Sequence, residues 1–242
     1  DQMAGRYRNS WPDKPKYAHG ALKLNASRNL NEFATQHMFP VSVHEFVRAG
    51  AEFPVVFVKD AASGQFRSVA LAGLMPNENI YAVANVLPTY LPLAVQNYPM
   101  VLIAEANVEN QFAIGINTNS PLVQTESGEA LFTETGEETT YLQQRKQLLI
   151  RSYEQLQITD AFIQLLQQLD LLMAQSFTVE VNGEVANING IYIINEQKLN
   201  ELSIEQFEDL RRRGFLPSIY SQLTSLHQLS RLASLKANLR QE

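Results

Sequence analysis

A chain of 242 residues, 45% of them apolar and 18% charged, with a net charge of −6 and no cysteine, can bury the core of one large domain or two small ones. Its composition excludes disulfides, thiolate nucleophiles and zinc–thiolate sites. It carries no basic block, so the electrostatic footprint of a nucleic-acid binder is missing, and a charged share below the usual quarter suits a protein that covers part of its surface with a partner.

Residues 1–20 are polar, with Pro12, Pro15 and Gly20 and the single tryptophan, Trp11, and read as an N-terminal arm. The chain opens on Asp1 rather than Met, which reads as a trimmed start, and no charged-then-apolar leader pattern follows it. The stretch Phe33 to Phe46 holds half of the four histidines, His37 and His44, with Glu45 beside the second. Phe33, Phe39, Val41, Val43 and Phe46 are expected in the core, and Ser42 is expected to cap a short helix containing His44 to Arg48. Pro54 to Asp60 and Phe66 to Leu74 flank a Ser-Gly turn and read as a hairpin. Ile80 to Val86, Met100 to Ala104 and Phe112 to Ile116 are expected strands, with a short helix between Pro88 and Asn97. The uncharged stretch from Asn79 to Ala104 is interrupted by Pro88, Pro92 and Pro99. A membrane-spanning helix needs roughly 20 mainly apolar residues, so buried strands are the better reading.

Residues 117–140 are a polar connector carrying Glu126, Glu129, Glu134, Glu137 and Glu138 without Lys or Arg. The loop spacing of a hard-cation site is absent, so a solvated acidic loop is expected. From Thr140 the pattern turns helical: Leu142, Leu149, Leu156 and Ile163 recur every seven residues, and Thr159-Asp160 could restart a second helix. Phe177–Val181 and Val185–Ile194 around Asn182-Gly183 predict a hairpin closed by a type I′ turn. Ser203 and Gln206 form a capping box, and the helix it opens should stop at Gly214. Pro217 begins the last helix, where Leu223, Leu226, Leu229, Leu232 and Leu235 recur every three residues. At 100° per residue that row winds around the axis, so the helix is buried on several sides or part of it meets another chain. Arg231, Lys236 and Arg240 suit the dipole near its end.

Several pieces form an ordered set. They are His19-Gly-Ala-Leu-Lys-Leu, Pro40-Val41, Glu45-Phe46, Glu52-Phe-Pro-Val-Val-Phe-Val, Val69-Ala-Leu-Ala-Gly-Leu, Glu78-Asn79, Tyr90-Leu-Pro and Tyr98-Pro99. Gly128-Glu-Ala-Leu-Phe, Tyr141-Leu142, Asn189-Gly-Ile-Tyr-Ile-Ile-Asn-Glu, Gly214-Phe-Leu and Ile219-Tyr220 follow. In order and spacing the chain resembles the SapC family of bacterial proteins. It departs from the family pattern at Val86-Leu87-Pro88-Thr89, where members tend to carry tryptophan, and at Asn195, where many have Asp. The resemblance implies a setting in bacterial surface-layer systems, near flavin-dependent halogenase-like and other peptide-modifying enzymes, and brings no catalytic motif.

The nucleophile elbow, the phosphate-cradling Gly-Lys-Ser/Thr loop and the dinucleotide fingerprint are all absent. A two-His, one-carboxylate site lacks its short spacing, and Pro40 between His37 and His44 breaks any helix that would align them. His37 and Glu45 remain candidates to line a binding pocket, because buried polar groups must find partners. Tyr90, Tyr98, Tyr192 and Tyr220 are the other candidates, each with an apolar body and a polar tip that would suit a peptide. The expected fold is α+β: a largely antiparallel sheet region, then helices and a hairpin. Residues 21–242 are read as one domain, β-rich over 21–116, an acidic connector over 117–140 and helix-rich over 141–242. The leading function is a non-catalytic binding or accessory protein of the cytoplasm, with a peptide or protein partner, no cofactor, no metal and no membrane span. The alternatives are an enzyme of unrecognised type acting on a peptide, with His37, Glu45 or the acidic segment near Glu134 as its site, and a structural protein that self-assembles through its C-terminal helix.

Overall fold

A computed structural model describes residues 20–25, 29–104 and 112–239 of the chain. Its elements fall into two units, residues 1–28 with 96–154 and residues 29–95 with 155–242. In chain order they are β1 (Lys23–Leu24), β2 (Met38–Pro40), α1 (Phe46–Gly50), β3 (Val55–Lys59), β4 (Phe66–Leu71), α2 (Ile80–Val83), α3 (Leu93–Asn97), β5 (Met100–Ala104) and β6 (Phe112–Ile116). Next come β7 (Val123–Gln124), β8 (Glu129–Ala130), α4 (Thr140–Gln168), β9 (Leu172–Val181), β10 (Glu184–Ile194), α5 (Glu196–Asn200), α6 (Ile204–Arg212), α7 (Leu216–Ser225) and α8 (Gln228–Leu239). The architecture is α+β with antiparallel sheets, as the sequence predicts. The N-terminal arm with Trp11, His19 and Arg240 lies outside the described residues.

In the second unit the sheet runs β2-β4-β3-β10-β9. The expected hairpin around Ser63-Gly64 is β3 and β4, with Val56 opposite Val69. Asn182 and Gly183 both take positive φ, 52° and 81°, as a type I′ turn requires, and they join β9 to β10. The strand β9 starts at Leu172 rather than at Phe177, after a short turn with Asp170 at φ 54° leads the chain out of α4. Its alternating exposure is the mark of a sheet with one wet face.

Aromatic rings tie the layers together. Phe46 on α1 meets Phe57 of β3 at 6.1 Å and Phe162 of α4 at 5.8 Å, and Phe162 meets Phe215 at 4.8 Å. Phe46, Phe57 and Phe162 are fully buried, each such burial being worth about 1.5–3 kcal/mol. Gln222 of α7 closes the gap where β3 and β10 diverge. Its Nε2 donates to the Val55 carbonyl at 2.9 Å and its Oε1 accepts from the Ile194 N–H at 3.1 Å. The Ser225 hydroxyl accepts from the Val55 N–H at 2.9 Å. Helix α7 therefore supplies the hydrogen bonds that continued pairing of β3 with β10 would have supplied.

The first unit holds two smaller sheets, β7-β1-β8 and β5-β6, over a core of Leu24, Met100, Ile114, Ile116, Leu131, Leu142 and Leu149. The expected acidic connector supplies β7 and β8. Glu126, Glu129, Glu134 and Glu137 in it are exposed, and Glu138 pairs with Lys146 at 2.8 Å.

Further expectations are corrected along the chain. Ile80 to Val86 is not a strand: Asn79 caps a helical turn by accepting from the Ala82 N–H at 3.1 Å, an outcome that a short apolar run leaves open. Helix α4 does not restart at Thr159. That hydroxyl donates to the Gln155 carbonyl one turn back at 2.7 Å and accepts from the Val43 N–H at 2.8 Å, so it is satisfied inside an unbroken helix. In the seven-residue row of α4, Leu142, Leu149 and Ile163 are buried but Leu156 is 44% exposed. The last helix is two helices, parted between Ser225 and Gln228. The break resets the phase of the three-residue leucine row, so Leu229 and Leu232 are buried while Leu223, Leu226 and Leu235 pack against the same core.

Candidate functional site

The turn Ser42–Glu45 opens α1, and Glu45 folds back over it. Its Oε2 accepts from the Ser42 N–H at 2.8 Å, the carboxylate leg of a capping box. Its Oε1 accepts from the Tyr90 hydroxyl at 2.8 Å and from the Leu93 N–H at 2.7 Å. Glu45 is 5% exposed, so these three donors are what keeps a buried carboxylate affordable. Burial first, and the adjacent Glu45 charge second, push the Tyr90 phenol well above its usual range, so it stays a donor. The Arg48 guanidinium lies 5.9 Å from the centre of the Tyr90 ring, a cation–π contact.

Seven residues on, just past the other end of α1, Glu52 repeats the arrangement. One oxygen accepts from the Thr89 hydroxyl and the other pairs with Arg231 of α8 at 2.8 Å. Its main-chain carbonyl accepts from the Tyr81 hydroxyl, and Arg231 lies 5.6 Å from the Tyr81 ring centre. Burial alone would raise the Glu52 pKa, but the bonds from Thr89 and Arg231 outweigh it and hold the carboxyl below its usual value. Burial pushes the Tyr81 phenol well up. The two carboxylates bracket α1 and grip consecutive residues, Thr89 and Tyr90, fixing the loop between α2 and α3.

A third acidic residue sits on the loop before α2. Glu78 pairs with Lys236 of α8 at 2.7 Å and accepts from the Leu74 N–H at 3.3 Å. The Lys236 ammonium also lies 3.5 Å from the Met75 sulfur. Gly73 is obligatory here: a Cβ on it would stand 1.9 Å from the Glu78 carbonyl oxygen. Lys236 lies in the last turn of α8, where it suits the helix dipole as expected, and also pairs with Glu78, whereas Arg231 lies in the first turn and pairs with Glu52.

Asn79 is fully buried, and its side-chain nitrogen has no partner among the described residues. Its oxygen holds the N-terminus of α2. Asn79→Ala is expected to lower stability by about 1 kcal/mol, the usual worth of a cap. Urea denaturation checks it, and a loss confined to local exchange of the Ala82 amide would show that α2 frays by itself.

Of the candidates named from sequence, the structure brings Glu45 and Tyr90 into direct contact. His37 is half-buried, and burial lowers its pKa from the usual 6.5, favouring the neutral ring. Its main-chain carbonyl accepts from the N–H groups of Ala72 and Gly73. His44 is exposed. Tyr192 packs edge-on to Phe66 at 4.7 Å, and Tyr220 is 42% exposed on α7. Tyr98 belongs to the other unit, where its hydroxyl accepts from Asn117 at 3.3 Å. Among the described residues no group of His, Asp or Glu is placed to hold a metal ion, and no helix is long and apolar enough to cross a membrane.

Sequence reasoning missed Glu52, Thr89, Tyr81 and Arg231. A signal was present: Arg231 falls between Leu229 and Leu232 within an apolar row, where an unpaired charge would be costly, and Glu52 stands one heptad after Glu45.

No curated protein and no solved structure matches the chain significantly. The SapC family model matches residues 16–232, a span that takes in Glu45, Glu52, Glu78 and Tyr90, and the chain belongs to the SapC family.

Proposed function

We propose that this SapC-family chain is a non-catalytic binding or accessory protein of a bacterial surface-layer or peptide-modification system. Its partner is a peptide or protein, such as a flavin-dependent halogenase-like or other peptide-modifying enzyme, and it acts in the cytoplasm. The observation that carries this reading is the doubly pinned loop. Glu45 and Glu52 use their oxygens on Ser42, Tyr90, Leu93, Thr89 and Arg231, which suits holding a shape better than moving a proton. The segments so held carry apolar side chains in water: Val47 is 54%, Val83 59% and Leu87 57% exposed. Preorganised apolar contacts lose little entropy on binding.

The test is selection of the full chain against a displayed random-peptide library, followed by titration of the enriched peptides. Leu87→Asp should lower their affinity at least roughly tenfold, about 1.4 kcal/mol, with an unchanged melting temperature. Failure to enrich any peptide, or enriched peptides that bind Leu87→Asp equally well, would refute the pinned loop as the recognition surface.

A further inference from the structure

The two edges of the five-stranded sheet are built differently. One is β2, three residues long and ending in Pro40, a blunted edge of the kind that resists pairing. The other is β9, ten residues, Leu-Met-Ala-Gln-Ser-Phe-Thr-Val-Glu-Val, with no Pro, no Lys and one charge, Glu180. In a two-residue hairpin the closing pair, here Val181 and Glu184, exchanges hydrogen bonds, and alternate residues then face away from the partner strand. Glu180, Thr178, Ser176, Ala174 and Leu172 therefore direct their N–H and C=O groups outward. Ala174, Ser176, Thr178 and Glu180 also have exposed side chains. Among the described residues one side chain hydrogen-bonds to the outward backbone of this edge, Gln175, whose Nε2 donates to the Ser176 carbonyl at 2.9 Å, while the last helix packs against the same strand.

We propose that the β9 edge is a self-association surface on which a second copy of this chain pairs antiparallel, about a two-fold axis through Ser176. The chemistry of a row of open backbone donors and acceptors selects another extended backbone. Self-complementarity selects a copy of the same strand. About Ser176 the outward set maps onto itself, Leu172 facing Glu180 and Ala174 facing Thr178, so every outward residue finds a partner. That register also keeps the two Glu180 carboxylates about 26 Å apart at 3.3 Å per residue, removing the only like-charge conflict. The small side chains of Ala174, Ser176 and Thr178 let the strands approach. Gln175 releases the Ser176 carbonyl as the new ladder forms. This surface is distinct from the last helix, and it stands independently of the proposed function.

The test uses the full chain. In sedimentation over a wide concentration range, the wild-type mass should rise from 27.3 kDa toward twice that value. Ser176→Lys places like charges directly opposite on the axis, and it should hold the mass at the single-chain value with an unchanged circular-dichroism spectrum. Because the chain has no cysteine, Ser176→Cys provides a register check. Opposed residues of a hydrogen-bonded pair lie at a Cα separation that a disulfide spans, so mild oxidation should give a crosslinked dimer. Val185→Cys, 62% exposed on the neighbouring strand, should stay uncrosslinked. A single-chain mass at every concentration, or Ser176→Cys crosslinking no faster than Val185→Cys, overturns the proposal. Protection of the Ser176 and Thr178 amides only on adding an extended peptide would also overturn it, assigning the edge to that peptide.

Discussion

Glu45→Gln is expected to destabilise the chain by about 3 kcal/mol, and Glu45→Ala by about 3–5 kcal/mol, the range seen when one partner of a buried charged network is removed. The reason is donor arithmetic. Ser42 N–H, Tyr90 O–H and Leu93 N–H all end on the two oxygens of Glu45. Glutamine offers one oxygen and one NH₂, so whichever way it turns, a donor faces a donor. Alanine orphans all three and leaves a void beneath Tyr90. Urea unfolding with an unchanged m-value is the measurement. The mechanism has a sharper signature in a double-mutant cycle: Tyr90→Phe should cost clearly less in the Glu45→Ala background than in the wild type, since its bond is already gone. Additive losses would mean that Glu45 and Tyr90 stabilise the fold independently.

The parts of the fold written in local chemistry were legible. Asn182-Gly183 dictates its turn through positive φ, Ser203 with Gln206 dictates a helix start, and Gly214 at φ 74° dictates its end. Ser42 likewise announces the turn before α1, whereas the part of Glu45 in it emerges only from the structure. Segments decided by distant packing were not legible. Ile80 to Val86 is a short apolar run like β3, and its turn, capped by Asn79, is held in place by the burial of Ile80 and Tyr81, with Tyr81 bonded to the Glu52 carbonyl 29 residues away. The same limit applies to the site. Glu45 stood out beside a histidine, but Tyr90 lies 45 residues away in sequence and Arg231 lies 179 residues from Glu52. No periodicity encodes such pairs. His37 drew attention as a rare titratable residue, whereas its hydrogen bonds to Ala72 and Gly73 run through its backbone and any residue type could make them.

Arg231→Met is expected to cost about 2–3 kcal/mol at neutral pH, below the usual range for a fully buried ion pair because the arginine side chain is 37% exposed and water screens it. The cost should depend on pH in a predictable sense. Glu52 titrates lower in the folded chain than its ordinary 4.5, so the unfolded chain takes up the proton first as pH falls. Its contribution is therefore complete above the ordinary value and is lost as pH drops through the depressed folded value. Removing Arg231 removes part of that depression, so the stability gap between wild type and variant should be constant from neutral pH to the ordinary glutamate range and then close. His37 acts in the same direction but earlier. Its lowered folded pKa means that the unfolded chain protonates first below 6.5, and both proteins lose stability from that point. Because that loss is common to wild type and variant, it cancels in the difference, leaving Glu52 to set the pH at which the gap narrows. A gap that stays constant below the glutamate range would show that Arg231 stabilises the fold through its contact with the Tyr81 ring and its aliphatic stem, with no net contribution from the carboxylate.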